Sequence, residues 1–133
     1  MIRLKIHHIG YWVKCIEKEM HVFKMLGYQI SSGITYDESR DCYICFMASN
    51  EIKIKLIQPA SEYSAIKNLL KEHEEQDYHI CYETTSFEND LLKLSEKGFH
   101  IYDENLFTTD VDNYAVFLST KNGAKFIEVL AAS

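Results

Sequence analysis

The chain has 133 residues, 47% of them apolar or aromatic, and a formal net charge of −6. That length suits one domain around one hydrophobic environment. The acidic balance, without a cluster of Lys and Arg, argues against an electrostatic nucleic-acid footprint, and the uncharged apolar stretches are far too short to cross a bilayer. The N-terminus also lacks a charged segment leading into a long apolar run and a cleavage site. The expectation is a soluble, cytoplasmic protein with neither nucleic acid nor membrane as partner.

In chain order, the first strand signal carries Ile9, Tyr11 and Val13 on one face and His8 and Gly10 on the other. A helix of about residues 16–26 follows, with Ile16, Met20, Phe23 and Leu26 on one side and Gly27 placed to end it in a left-handed cap. Cys42-Tyr43-Ile44-Cys45-Phe46 alternates as a strand. Its two cysteines form a C-x-x-C, but residues three apart on a strand face opposite ways, which disfavours a redox or zinc pair. With Cys15 and Cys81 they read as scattered, reduced thiols. The next strand sets Ile52, Ile54 and Leu56 against Lys53 and Lys55 and closes at Pro59. Ile66, Leu69 and Leu70 then mark a short connector helix that runs into the polar stretch Lys71 to Asp77.

From there the pattern starts again at a shift of 71 positions. His8-Ile9-Gly10-Tyr11 recurs as His79-Ile80-Cys81-Tyr82, Glu17 as Glu88, and Gly27-Tyr28-Gln29-Ile30 as Gly98-Phe99-His100-Ile101. The run from Asp41 to Met47 matches Asp112 to Leu118. After a turn two residues longer in the second half, Lys53-Ile54-Lys55-Leu56-Ile57 meets Phe126-Ile127-Glu128-Val129-Leu130. The second helix has the stripe Phe87, Leu91 and Leu94, and Gly98 ends it. The fold predicted is therefore α+β: two tandem βαβββ modules within a single domain, 1–133. Module one covers about 1–59, the connector about 60–76 and module two about 77–133.

A module covered by its helix on one face is bare on the other, so two modules must pair, leaving a cleft between curved mixed sheets. Strand alternation puts Ile9, Tyr11 and Val13, their counterparts Tyr78, Ile80 and Tyr82, and Ile127 and Val129 on the helix side. His8 with Gly10, His79 with Cys81, and Phe126, Glu128 and Leu130 then face the cleft, where small Gly10 and Cys81 leave room beside each imidazole. Two histidines joined by a carboxylate suit a divalent metal such as nickel, zinc, iron, cobalt or manganese. A cleft-facing histidine can equally be a hydrogen-bonded core residue.

The strings His8-Ile9-Gly10-Tyr11, Leu56-Ile57-Gln58-Pro59, Tyr78-His79-Ile80-Cys81-Tyr82 and Phe126-Ile127-Glu128-Val129-Leu130 together resemble the vicinal-oxygen-chelate superfamily. Within it, the likeness is to the glyoxalase I and methylmalonyl-CoA epimerase branch, and it covers nearly the whole chain. The resemblance implies paired βαβββ modules and a metal held by four strands, here at His8, position 55, His79 and Glu128. Lys55 departs from the family's Glu or Gln, and a charged lysine offers no lone pair. Lys55 swings aside and leaves a His8, His79 and Glu128 triad, pairs with Glu128 in place of the metal, or loses its proton and acts as base or ligand.

The resemblance implies a glyoxalase I-type isomerase or lyase acting on a small carbonyl or thioester-like substrate, with Glu128 as the catalytic base that moves a proton next to the carbonyl. A second epimerase-type base is missing, because its position falls near Ile44. The alternatives are a drug-binding protein of the bleomycin-resistance type and an extradiol-dioxygenase-like iron(II) enzyme, for which His7, Tyr43, Tyr114 and His100 are available. His21 and His73 read as helix-surface residues, and Tyr102 to Asp112, with Phe107, as a solvent loop next to the cleft. Homodimerisation is the default assembly.

Overall fold

The structure is a computed structural model that describes residues 2–64, 66–67, 78–102, 108–110, 113–120 and 125–132. In chain order the elements are β1 (Lys5–Trp12), α1 (Ile16–Met25), β2 (Gln29–Asp37), β3 (Cys42–Ala48), β4 (Lys53–Pro59), β5 (Tyr78–Thr84), α2 (Phe87–Glu96), β6 (Phe99–Ile101), β7 (Thr108–Asp110), β8 (Asn113–Thr120) and β9 (Phe126–Ala131). The α+β class follows directly. The elements fall into two compact units, His8–His79, and Met1–His7 with Ile80–Ser133. Most of the connector helix, including Leu69, Leu70 and His73, and the centre of the 102–112 loop, including Phe107, lie outside the described residues. Among the described residues, no helix is long and apolar enough to cross a membrane.

In the first unit the strands run β2-β3-β4-β1. β1 and β4 pair in parallel, and the β2–β3 and β3–β4 pairs are antiparallel. The helix covers one face: Ile16 and Phe23 pack with Val13, Cys45, Met47, Ile54 and Leu56, and Ile9, Tyr11, Met20 and Tyr28 close around them. Alternation assigns these faces as expected, because Ile54 and Leu56 can reach the helix only if Lys53 and Lys55 point away. The helix begins without a side-chain cap of its own. Instead, the Ile16 N–H donates to Oε1 of Gln58, 42 residues on, at 3.0 Å, so β4 satisfies one of the helix's free donors.

One member of the expected helix stripe is misplaced. Leu26 is 67% exposed; it occupies the cap just past the helix end at Met25. Tyr28, one residue past Gly27, packs on Phe23 instead, with ring centroids 5.3 Å apart. Both C-x-x-C cysteines are buried and free, and Cys45 lies in the helix-side core. Burial, with Asp37 nearby, pushes the Cys42 thiol up to about 12, so it stays protonated at neutral pH.

The second unit runs β5-β9-β8-β6, with β5 parallel to β9, and β7 also pairs with β8. Leu94 of α2 packs on Val116, Leu118 and Val129, with Phe87, Leu91, Phe99 and Ile127 around it. Ile2 joins this cluster, which is why the first seven residues group with this unit. Where three strands after the helix were expected, there are four. β6 and β7 pair with the two ends of β8 and together hold the place that β2 holds on β3. From Ile101 to Thr108 the chain advances seven positions while β8 advances three. In β2 the matching stretch, Ile30 to Thr35, advances five against three and stays one bulged strand. Six positions separate the paired Ser119 and Phe126 against four between the paired Ala48 and Lys53, two more, as the repeat requires.

Gly27 and Gly98, 71 positions apart, both have φ +98, and a Cβ at either would meet nothing within 4 Å. The cost of a side chain there is conformational. Gly27→Ala is expected to lower unfolding free energy by about 1–2 kcal/mol, and Gly27→Asn by less. Urea denaturation checks this, and equal stability of the alanine variant contradicts it.

Candidate active site

On the face of the first unit away from α1, register fixes a row of three residues. Phe46 of β3 is opposite Lys55 of β4, and Lys55 is opposite Gly10 of β1. Paired residues in a sheet project to the same side, so all three share this face, with His8 and Trp12 two positions from Gly10 along β1. His8 and His79 are buried and lie in the same unit, with ring centroids 6.4 Å apart. The His79 ring rests on the backbone of Gly10. A Cβ there would sit 2.3 Å from His79 Cε1 and 2.6 Å from Nε2, closer than such atoms approach. The ring also packs against Trp12, with centroids 4.6 Å apart and planes inclined by 31°. The His8 ring meets Phe46 nearly at right angles, at 5.6 Å.

Lys55 is 7% exposed. Its Nζ lies 5.7 Å from the centroid of the Phe46 ring, which Lys53 Nζ also approaches, at 5.6 Å. Among the described residues of its unit, no carboxylate is in ion-pair contact with the Lys55 ammonium. A cation–π contact contributes about 0.5–2 kcal/mol, whereas removing an ammonium from water costs several kcal/mol. Phe46 alone therefore leaves the burial of this charge only partly offset.

The second unit repeats the row in another chemistry. Phe117 of β8 is opposite Glu128 of β9, and Glu128 is opposite Cys81 of β5. Phe117 corresponds to Phe46, Cys81 to Gly10 and Glu128 to Lys55. All three are buried, Glu128 to 1% exposure. Phe117 stacks on Phe126 at 5.3 Å, and Tyr102 meets Phe126 edge-on at 5.6 Å, so the carboxylate lies beside an aromatic wall. Each module thus carries aromatic, charged and small residues side by side, with the charge reversed.

The remaining candidates are placed less centrally. His21 is exposed on α1, and Tyr43 and Tyr114 are exposed, at ring contacts with Tyr36 and Phe87. His7 is half-buried, and His100 is exposed on β6 with Nε2 3.3 Å from Ser119 Oγ. Phe46 and Trp12 were not singled out from the sequence. The signal was present, because Trp12 is two alternations beyond His8 and Phe46 is the repeat partner of Phe117.

Residues 7–117 match the family model of the Glyoxalase/Bleomycin resistance protein/Dioxygenase superfamily. The chain belongs to this superfamily. Solved structures with the same fold include a hypothetical protein from Bacillus halodurans, 22% identical, covering 99% of this chain and 96% of its own, with a TM-score of 0.79. They also include a variant methylmalonyl-CoA epimerase from Streptomyces coelicolor in complex with 2-nitronate-propionyl-CoA, 16% identical, covering 98% and 99%, with a TM-score of 0.75. A methylmalonyl-CoA epimerase from Mycobacterium tuberculosis is 15% identical, covers 100% and 93%, and gives a TM-score of 0.76. No curated protein sequence matches the chain significantly. The superfamily match ends at 117, so Glu128 is assigned by the internal repeat and the register of β9.

Trp12 is the only tryptophan in the chain, so its emission reports directly on the His79 contact. Gly10→Ala is expected to displace the imidazole, shift Trp12 emission and lower stability by about 1–3 kcal/mol. Unchanged emission together with unchanged stability contradicts the seating of His79 on Gly10.

Proposed function

We propose that this superfamily member is a metal-dependent isomerase or lyase, in which His8, His79 and Glu128 hold a divalent ion and Glu128 transfers a proton. The observation that carries this reading is the packing of two buried imidazoles on one face of one unit, with a glycine beneath His79 where any side chain would displace it. The donor types fit: imidazole nitrogen and carboxylate oxygen suit zinc, nickel, cobalt, manganese or iron(II). A bound ion would polarise neighbouring oxygens of a carbonyl substrate.

The chain's own residues supply the rest. Contacts with Gly10 and Trp12 constrain the His79 ring without a ligand. Glu128, buried against Phe117 and beside the Phe117–Phe126 stack, is the base for a proton on a carbon next to a carbonyl. Lys55 Nζ lies 5.7 Å from the Phe46 centroid, a contact that gives the ammonium a resting place other than a metal ion. The epimerases that share the fold give the thioester-like class its support, since one of them is solved with 2-nitronate-propionyl-CoA. We further propose that the protein acts as a cytoplasmic homodimer.

Buried Lys55 at the family's ligand position favours a second reading: a metal-free binding protein in which Lys55 pairs with Glu128. Metal analysis separates the two. The purified protein is expected to carry, or after dialysis to rebind, about one equivalent of transition metal; no copurifying metal and no rebinding ends the enzymatic reading. Lys55→Glu is expected to bind nickel or zinc at least about tenfold more tightly than the parent. Equal affinity means that position 55 does not contribute to the site.

A further inference from the structure

Lys55 is more than nine-tenths buried on the face that also carries His8 and the Gly10-seated His79. Its ammonium and the His8 ring lie against the same aromatic ring, at 5.7 and 5.6 Å from the Phe46 centroid. Among the described residues of its unit, no carboxylate pairs with it. Lys53 approaches the same ring, so this face concentrates positive charge in a chain whose net charge is −6. A buried cation that an aromatic face only partly stabilises gains most from an anionic oxygen arriving with the ligand.

We infer that Lys55 is an anion-recognition residue and that the ligand of this site is a small carboxylate, in particular one with a second oxygen next to it, as in a 2-oxo acid. The inference deepens the proposed function and rests on it for the location of the ligand. One lysine donates up to three hydrogen bonds from a compact charge, enough to hold a carboxylate oxygen while a neighbouring oxygen faces the imidazoles. A neutral diamide of the same shape presents no such charge and is discriminated against. Because a cation repels a metal ion but attracts the anion that bridges to it, metal and carboxylate are expected to bind with mutual reinforcement.

The test is calorimetric titration of the full-length protein, first stripped of metal and then loaded with zinc, using oxalate and its neutral counterpart oxamide. Circular dichroism and Trp12 emission verify that each variant is folded. Oxalate is expected to bind the metal-free parent and oxamide to bind at least tenfold more weakly. Lys55→Met is expected to lose at least tenfold in oxalate affinity, and Lys55→Arg to recover most of it. Oxalate affinity that is equal in the parent and in Lys55→Met, or equal to that of oxamide, overturns the inference. If zinc binds but oxalate affinity ignores position 55, the metal reading stands and this one falls. If zinc does not bind but lysine-dependent oxalate binding persists, the reverse holds. Should Lys55→Met not fold, Lys55→Arg and the oxalate-to-oxamide ratio of the parent decide the matter.

Discussion

The contact between the His79 imidazole and the bare backbone of Gly10 organises the face on which the candidate site is built. No side chain larger than hydrogen fits, since a Cβ would lie 2.3 Å from the ring. With the ring seated there, Trp12 packs against it as well, and His8 packs edge-on against Phe46. Packing against Gly10 and Trp12 constrains the His79 ring.

The repeat explains why such a face exists twice and why the two copies differ. A strand–helix–strand unit covers one side of its sheet and leaves the other side to be used. Duplication then brings equivalent positions into use with independent chemistry. Phe46, Lys55 and Gly10 in one module, and Phe117, Glu128 and Cys81 in the other, keep the steric sequence of large, long and small across three strands. Only the charge changes sign. Packing constrains shape at these positions, whereas charge answers to whatever is bound. Reversal of charge at conserved shape therefore points to a change in ligand requirement, with the fold left alone.

His8 and His79, like Gly27 and Gly98, stand out in the sequence because each recurs at the shift of 71, whereas Glu128 falls opposite Lys55 once the longer turn moves the shift to 73. The left-handed glycines then emerged with the same φ. The two faces of β4 and β9 were legible for a simpler reason, since a strand has only two sides and Ile54, Leu56 and Val129 had to take the helix side. What escaped depends on geometry that periodicity does not encode. Leu26 keeps the helical spacing but falls on the cap, and is exposed. The division of the β2 counterpart into β6 and β7 comes from the four positions by which the chain outruns β8, which the residue types do not announce. The contact of Lys55 with Phe46 is a rotamer choice, invisible to any pattern of alternation.

That rotamer choice bears most directly on chemistry. A lysine that replaces a metal ligand removes a lone pair and adds a positive charge, and both effects weaken an ion nearby. Under the proposed function, in which His8, His79 and Glu128 hold an ion, a lysine at position 55 makes chemical sense when the incoming molecule brings negative charge of its own. The lysine and the ion then share the anion instead of opposing each other, and the site is selective for ligands that carry the missing charge. A site whose fourth ligand is a second carboxylate holds its ion without help from the substrate. Replacing that carboxylate with an ammonium makes occupancy by either partner depend on the other. By the reciprocity of linked equilibria, whatever the anion adds to the ion's affinity, the ion adds to the anion's.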